Sequence, residues 1–505
     1  MGLMTNFPSL PLAATADSEI LGWTQWVVTG IAVVELLFRL GTAVRIICRR
    51  WPTGATLSWL APVLVSPIPF LATVAYWVIG ESRLGHKRAR REQEILEPYR
   101  RFREELCSRE HIDFSTLSPA SESLHREAES LVGVPGLPGN RLQLISDSEA
   151  ALRSIIVDID RAKKSCDLLF YIWHPGGTAD EVGEALIRAS GRGVTCRVLL
   201  DSLGSAKFLK SPLCRRMQQA RVTVVKALPV GLFRSLFVRF DLRNHRKIVV
   251  VDHEVAHTGS MNLVDPRFFK RGAGVGQWID AMVRVEGPAV ELLAAAFLVD
   301  WEMETGEGLS SGPYELPQHE NVGTTPVQLA VSGPGMTAGI IYKLLISAVY
   351  RARRELFITT PYFVPDDALR MALKSAARRD IDVRITVPRR VDSLLVRWAS
   401  RSHFDDLIAA GVKILQFDAG LLHTKAVTID GETGFLGTVN LDQRSFWLNF
   451  ELTLLIYDSA FVSELRALQL SYNSNATAVD LARWRQRPFV REFVESAAML
   501  AAPVL

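Results

Sequence analysis

Two long apolar runs lead the chain, and short apolar strands alternating with amphipathic helices follow. Residues 20–44, ILGWTQWVVTGIAVVELLFRLGTAV, are apolar over a length that can cross a bilayer, which takes about 20 helical residues. Glu35 and Arg39 interrupt the run four residues apart, a spacing that lets one helix face pair them. Residues 57–79, LSWLAPVLVSPIPFLATVAYWVI, carry no charge. Pro62, Pro67 and Pro69 would kink a helix there, which membrane helices tolerate, and Trp59 and Trp77 flank it as interfacial anchors do. The pattern predicts a transmembrane helical hairpin serving as a membrane anchor over residues 1–82. A cleaved signal peptide is the rival for the first run, but residues 1–19 contain no Lys or Arg to form its basic segment. Residues 83–103 hold eight Lys and Arg, against Arg45, Arg49 and Arg50 between the runs. The larger count predicts a cytoplasmic C-terminal side, whereas the first helix alone, with no Lys or Arg upstream, favours the opposite; the basic segment would attract anionic headgroups.

Residues 83–134 read as a basic and polar linker and lead-in. Beyond them, DLLFYIW (167–173) reads as a buried strand, ADEVGEALIRASGRG (179–193) as a helix ending in glycines, and VTCRVLLD (194–201) as a strand. The plan repeats in ELFITTPYFVP (355–365), DDALRMALKSAARRD (366–380) and IDVRITVP (381–388). This predicts an α/β fold with mixed sheets flanked by helices, in two similar half-domains at 135–315 and 316–495, and an apolar tail at 496–505.

At 505 residues the chain exceeds one ordinary core. A mean hydropathy of +0.14 fits a chain that partly meets lipid. The net charge of +4 is mild and counts against a nucleic-acid groove, which is usually strongly basic, without excluding a phosphate-bearing partner. Five scattered cysteines form no metal-ligand spacing and fit a reducing compartment.

The strongest chemical signal is a polar skeleton written twice. NHRKIVVVDHEVAHTGSMN (244–262) and LHTKAVTIDGETGFLGTVN (422–440) share His, Lys, Asp, Gly, a hydroxyl residue and Asn at identical relative positions. His245 and Lys247, like His423 and Lys425, are two apart at the start of strand-like runs, so each pair points one way. Lys247, Lys425, Asn262 and Asn440 offer a hydrogen-bonding cradle for phosphate oxygens. Two histidines supply a nucleophile and a general acid/base near neutral pH. In-line displacement at phosphorus needs a group on each face, and duplication provides the second. Asp252 and Asp430 close the motifs and are counted with the catalytic set; ending their strands, they read as scaffold residues ahead of direct participants.

H-x-K-x4-D followed by G-[ST]-x-N, present twice, resembles the phospholipase D superfamily. The hairpin with GESRLG, FYIWHPGG, TGSMNLVDPRFF, GQWID, TTPYFVP and GLLHTKAVTIDG together resemble the bacterial cardiolipin synthases over essentially the whole chain. The resemblance implies a metal-independent, cofactor-free transfer with a phosphohistidine intermediate. It implies His245 as nucleophile and His423 as general acid, then base, although the motifs' symmetry does not decide between them. It also implies a carboxylate some thirty residues past each histidine to orient it, matched by Asp280 and Glu451; Ser260 and Thr438 stand in the same supporting shell. The expected partners are phosphatidylglycerol and the bilayer, with no nucleic acid; the expected location is the bacterial inner membrane, with the catalytic part on the cytoplasmic face.

Alternatives stay open at this stage: a phospholipase D with water as acceptor, a nuclease, or a membrane scaffold with a decayed site. VGLFRSLFVRFDLR (230–243) fits an interfacial segment or an ordinary packing segment. RWRQRPFVREF (483–493) reads as packing, and Arg351, Arg353, Arg354, Arg389 and Arg390 as solvated. Tyr171, His174, Tyr362 and Phe363 fall at matching strand ends, where pocket walls form.

Overall fold

The computed structural model describes residues 14–49, 53–81, 86–107, 112–229, 239, 241–308, 317, 319–336 and 339–499. Its contacts divide the chain into two compact units, residues 1–81 and 82–505.

In the first unit one helix spans Ala14–Cys48. Its Trp23–Cys48 stretch is, among the described residues, the one helix long and apolar enough to cross a membrane. Trp23, Trp26, Leu37 and other large side chains on it are exposed, as a lipid-facing helix requires. The second apolar run differs from the expected continuous span. A helix over Thr53–Val65 stops at the Pro67/Pro69 stretch, and another begins at Leu71 after Phe70 in a left-handed conformation. Proline removes donors there and leaves carbonyls unpaired. The expected Glu35–Arg39 pair forms and repairs the break. Arg39 donates to the carbonyls of Leu64 (3.2 Å) and Ser66 (2.8 Å), and Glu35 accepts from the Phe70 amide (3.3 Å). The ion pair thus meets backbone groups that the interrupted helix leaves open.

The second unit is built on one fifteen-stranded sheet. From its centre outward, the first half runs Leu137–Ile145, Met282–Glu286, Val255–Gly259, Ile248–Val251, Ser165–Phe170, Thr195–Asp201 and Thr223–Ala227. The second half runs Thr325–Ser332, Glu451–Ile456, Thr433–Gly437, Ala426–Ile429, Glu355–Thr359, Asp382–Pro388 and Lys413–Phe417, with Ala476–Ala478 added at the edge. Each half has four antiparallel pairings followed by two parallel ones, in the same order. The halves join antiparallel at the centre, Leu137 opposite Val327. Helices cover the sheet; Val290–Thr305, whose 292–299 stretch is apolar on every side, lies buried against it.

The segment expected as a linker, 83–134, is instead part of this unit. His86–Cys107 and Pro119–Val132 are helices that bury Phe102, Leu106, Leu124 and Ala128. Its high charge concealed these few apolar positions. At the far end Phe489–Met499 is helical and runs into the expected tail; 500–505 lie outside the described residues.

Candidate active site

Each histidine sits just before its strand rather than in it. The strands begin at Ile248 and Ala426, one residue past each lysine. The lead-ins are extended because each pairs with the opposite half. The His245 amide donates to the Phe450 carbonyl (2.9 Å), and the His423 amide to the Ile279 carbonyl (2.7 Å). Those acceptors immediately precede Glu451 and Asp280. Backbone pairing therefore delivers each carboxylate to the other half's imidazole. Glu451 Oε2 lies 2.9 Å from His245 Nδ1, and Asp280 Oδ1 lies 2.6 Å from His423 Nδ1. Thr438 donates to Glu451 Oε2, and Ser260 to Asp280 Oδ1 (2.7 Å). The hydroxyl of each G-[ST]-x-N motif thus steadies the carboxylate that holds the opposite histidine. Sequence reasoning found all four residues but not the crossing.

These contacts fix the tautomers. His245 Nδ1 also faces the Thr438 carbonyl at 3.1 Å, and a carbonyl can only accept, so Nδ1 carries the proton. Asp280 is ionised: burial opposes its charge, but His423 and Lys425 outweigh burial and hold its carboxyl at about 2. It too can only accept, so His423 Nδ1 is the donor. Burial pushes both imidazoles down to about 4 against the upward pull of their carboxylates, and both lysines add to the fall. At neutral pH both histidines are therefore neutral, with Nε2 unprotonated. Burial brings Lys247 down to about 8 and drives Lys425 well below its ordinary value. Each ammonium acts on both imidazoles, as groups around one small site must. Each also donates to the carbonyl of its own histidine.

Residues between the catalytic pairs point away, as alternation requires. Arg246 reaches Asp300 (2.7 Å) and the carbonyls of Ser332 and Glu451. Asn262 accepts from the Ile172 amide (3.1 Å), leaving its buried Nδ2 without a partner among the described residues. Asn440 is likewise buried with an unpartnered side-chain oxygen. The unpaired Nδ2 of Asn262 is a donor and suits an incoming phosphate oxygen.

Asp252 and Asp430 require a correction as members of the catalytic set. Asp252 accepts from the amides of Lys163, Lys164 and Ser165, and Asp430 from those of Arg353, Arg354 and Glu355. Both have positive φ, 54° and 56°, where a short polar side chain is tolerated. Each ties its strand to the start of a neighbouring one and is occupied in doing so. Asp430→Ala is expected to cost about 2 kcal/mol of stability through unmet amides and backbone strain. Thermal unfolding should shift down while turnover per folded molecule holds; a turnover loss at full stability would return Asp430 to the chemistry.

Several neighbours carried weak sequence signals. The Tyr171 ring packs 5.0 Å from His245, and Trp278 lies 4.2 Å from His423. The Tyr362 hydroxyl bonds Asp392 (2.6 Å), which also accepts from Lys270 (2.8 Å). Phe363 is core, and His174 packs on Phe269. The 230–243 segment lies largely outside the described residues. Among the described residues no group of three or more His, Cys, Asp or Glu is placed to hold a metal ion.

A family described as "Cardiolipin synthase, PLD-like domain" matches residues 155–299 and 345–469, one stretch in each half. The chain is 44% identical over 468 residues to the cardiolipin synthase A proteins of Erwinia tasmaniensis and Klebsiella pneumoniae, covering 92% of this chain and 96% of each relative. In fold it is similar to the crystal structure of phosphatidylserine synthase from Haemophilus influenzae Rd KW20, with a TM-score of 0.57 at 16% identity, over 75% of this chain and 99% of that one. The fold and its doubled site define a phospholipase D-like enzyme of two fused halves. Within that class the chain belongs to the cardiolipin synthase family, phosphatidyltransferases, and its apolar N-terminal helix makes it membrane-associated.

Proposed function

We propose that the enzyme condenses two phosphatidylglycerol molecules into cardiolipin and glycerol. The observation carrying this reading is the crosswise anchoring of the two histidines through Nδ1, which leaves both Nε2 atoms free for one phosphorus. His245 Nε2 attacks the phosphodiester, a P–N bond forms, and the P–O bond to glycerol breaks. Lys247, Lys425, Asn262 and Asn440 hold the phosphate oxygens. His423 protonates the departing glycerol oxygen. The bound phosphate anion makes that possible by raising an imidazole that burial otherwise holds low. Neutral His423 then takes the proton from the second lipid's hydroxyl, whose oxygen displaces His245 and restores it. The family resemblance supports His245 as nucleophile; the two sites are near-symmetrical.

The catalytic unit works at the cytoplasmic face of the bacterial inner membrane, a reading supported by the eight Lys and Arg in residues 83–103. The anchor is a hairpin whose second limb is broken at its prolines. We take the half-domains as 135–315 and 316–495, a division that the two matching strand series support.

Purified full-length protein given phosphatidylglycerol vesicles as sole lipid should yield cardiolipin and glycerol in equal amounts, at a rate unchanged by EDTA. Phosphatidic acid as sole lipid product would replace transfer by hydrolysis. Loss of activity in EDTA, restored by a divalent ion, would overturn the two-histidine chemistry.

A further inference from the structure

Beside the site, two helices leave apolar stripes uncovered. Leu394–Ser402 exposes Leu394, Leu395 and Trp398; Phe489–Met499 exposes Phe489, Val490 and Phe493, with 77%, 71% and 62% of each surface free. Both stripes follow i, i+1, i+4 spacing, one face of a helix. The helices are not loose. Ala399 and Ala498 pack together on Val364, and buried Glu495 bonds Arg401 at 2.7 Å. The packing expected of RWRQRPFVREF is met by Trp484 and the Arg487–Glu495 pair, while its phenylalanines face outward. Large apolar side chains grouped this way mark a binding surface.

The patch adjoins the active site. The Leu394–Ser402 helix starts two residues after Asp392, which binds Tyr362 and Lys270. Lys270 lies over the Trp278 ring that packs on His423. Val364, beneath the helices, pairs with Asp442, two residues past Asn440. The charges nearby are largely basic. Arg389, Arg390 and Arg491 are exposed and Arg397 half-buried; opposing them are exposed Glu492 and Asp418, the latter paired with Arg389.

We propose that this helix pair rests in the surface of an anionic bilayer, phenylalanines and Trp398 among the acyl chains and arginines on headgroup phosphates. Amphipathic helices with aromatic and basic residues bind this way. Docking here brings the site rim to the plane where lipid phosphates lie, so a headgroup reaches the histidines without leaving the bilayer. The proposal rests on the reading that the substrate is a bilayer phospholipid.

The test uses full-length Phe489→Ser/Phe493→Ser, which alters exposed positions outside the site. In phosphatidylglycerol/phosphatidylethanolamine vesicles its transfer rate should fall about tenfold, with a raised KM for surface phosphatidylglycerol. In detergent, on short-chain monomeric phosphatidylglycerol, it should match wild type. Equal rates in vesicles would overturn the docking. So would equal losses on both substrates, which would assign the helices to folding of the site, or a lost self-association, which would assign the face to a second copy. A readout independent of turnover separates this from the functional reading: lipids brominated on their acyl chains should quench full-length wild type more than Trp398→Phe. Equal quenching would sink the docking even if cardiolipin is made; inactivity of wild type on phosphatidylglycerol with quenching intact would sink the reaction instead.

Discussion

His245→Ala lowers phosphatidyl transfer by about 10⁴-fold or more, and His423→Ala by about 10³-fold or more, because one removes the nucleophile and the other the acid and base. The two losses differ in kind, and that difference tests the assignment. A phosphatidyl donor with an acidic phenol as leaving group needs no proton to depart. On such a substrate His423→Ala should still complete the first step and accumulate a phosphohistidine, stable in base and labile in acid. His245→Ala should accumulate none. Peptide mapping of the label should find His245. Label at His423, trapped in His245→Ala, would exchange the roles and leave the two-sided mechanism standing. Substantial turnover of phosphatidylglycerol in either alanine variant would remove that mechanism altogether. Fold loss is an insufficient explanation in advance: the strands begin only after the lysines.

The repeat of His, Lys and Asn was legible because reactive groups must recur at fixed spacing, whereas Val250 and Thr428 need only suit a strand. The α/β alternation was legible for the same reason of periodicity, in DLLFYIW and in IDVRITVP. What escaped was set by contacts distant in sequence. His245 and Glu451 are 206 residues apart, and His423 and Asp280 are 143 apart. A constant offset of some thirty residues past each histidine finds the carboxylates but hides their exchange. The occupation of Asp252 by three amides depends on a strand start 87 residues earlier, which no local pattern reveals. Prolines announced the break in the second apolar run. Its repair by Arg39, reaching Ser66 from 27 positions away, required the helices to be packed. Phe489 and Phe493 show the converse error: amphipathic spacing suggested burial, and the buried face is instead that of Glu495 and Ala498.

Crossed pairing makes the second large prediction. Asp280→Asn is expected to lower transfer by about 10²–10⁴-fold although no reacting atom touches Asp280. An amide can turn its NH₂ toward His423 Nδ1 and stabilise the tautomer whose Nε2 carries the proton when a base is needed. It also removes the negative charge that raises His423 against burial, so the imidazolium becomes harder to form. The sign follows: a lower His423 pKa leaves the acid deprotonated at lower pH, and the alkaline limb of kcat moves toward acid. Glu451→Gln should cost less, about 10–100-fold, because the Thr438 carbonyl still fixes the His245 tautomer. The activated phenol substrate separates the partners. Its first step needs His245 and not the acid, so Asp280→Asn should form phosphohistidine at nearly the wild-type rate, while Glu451→Gln should be slow. Pairing within each half demands the reverse, since Asp280 belongs to the half that carries His245. A slow first step in Asp280→Asn with a fast one in Glu451→Gln would therefore refute the exchange of carboxylates, and with it the reason the two halves must be fused face to face before either can act.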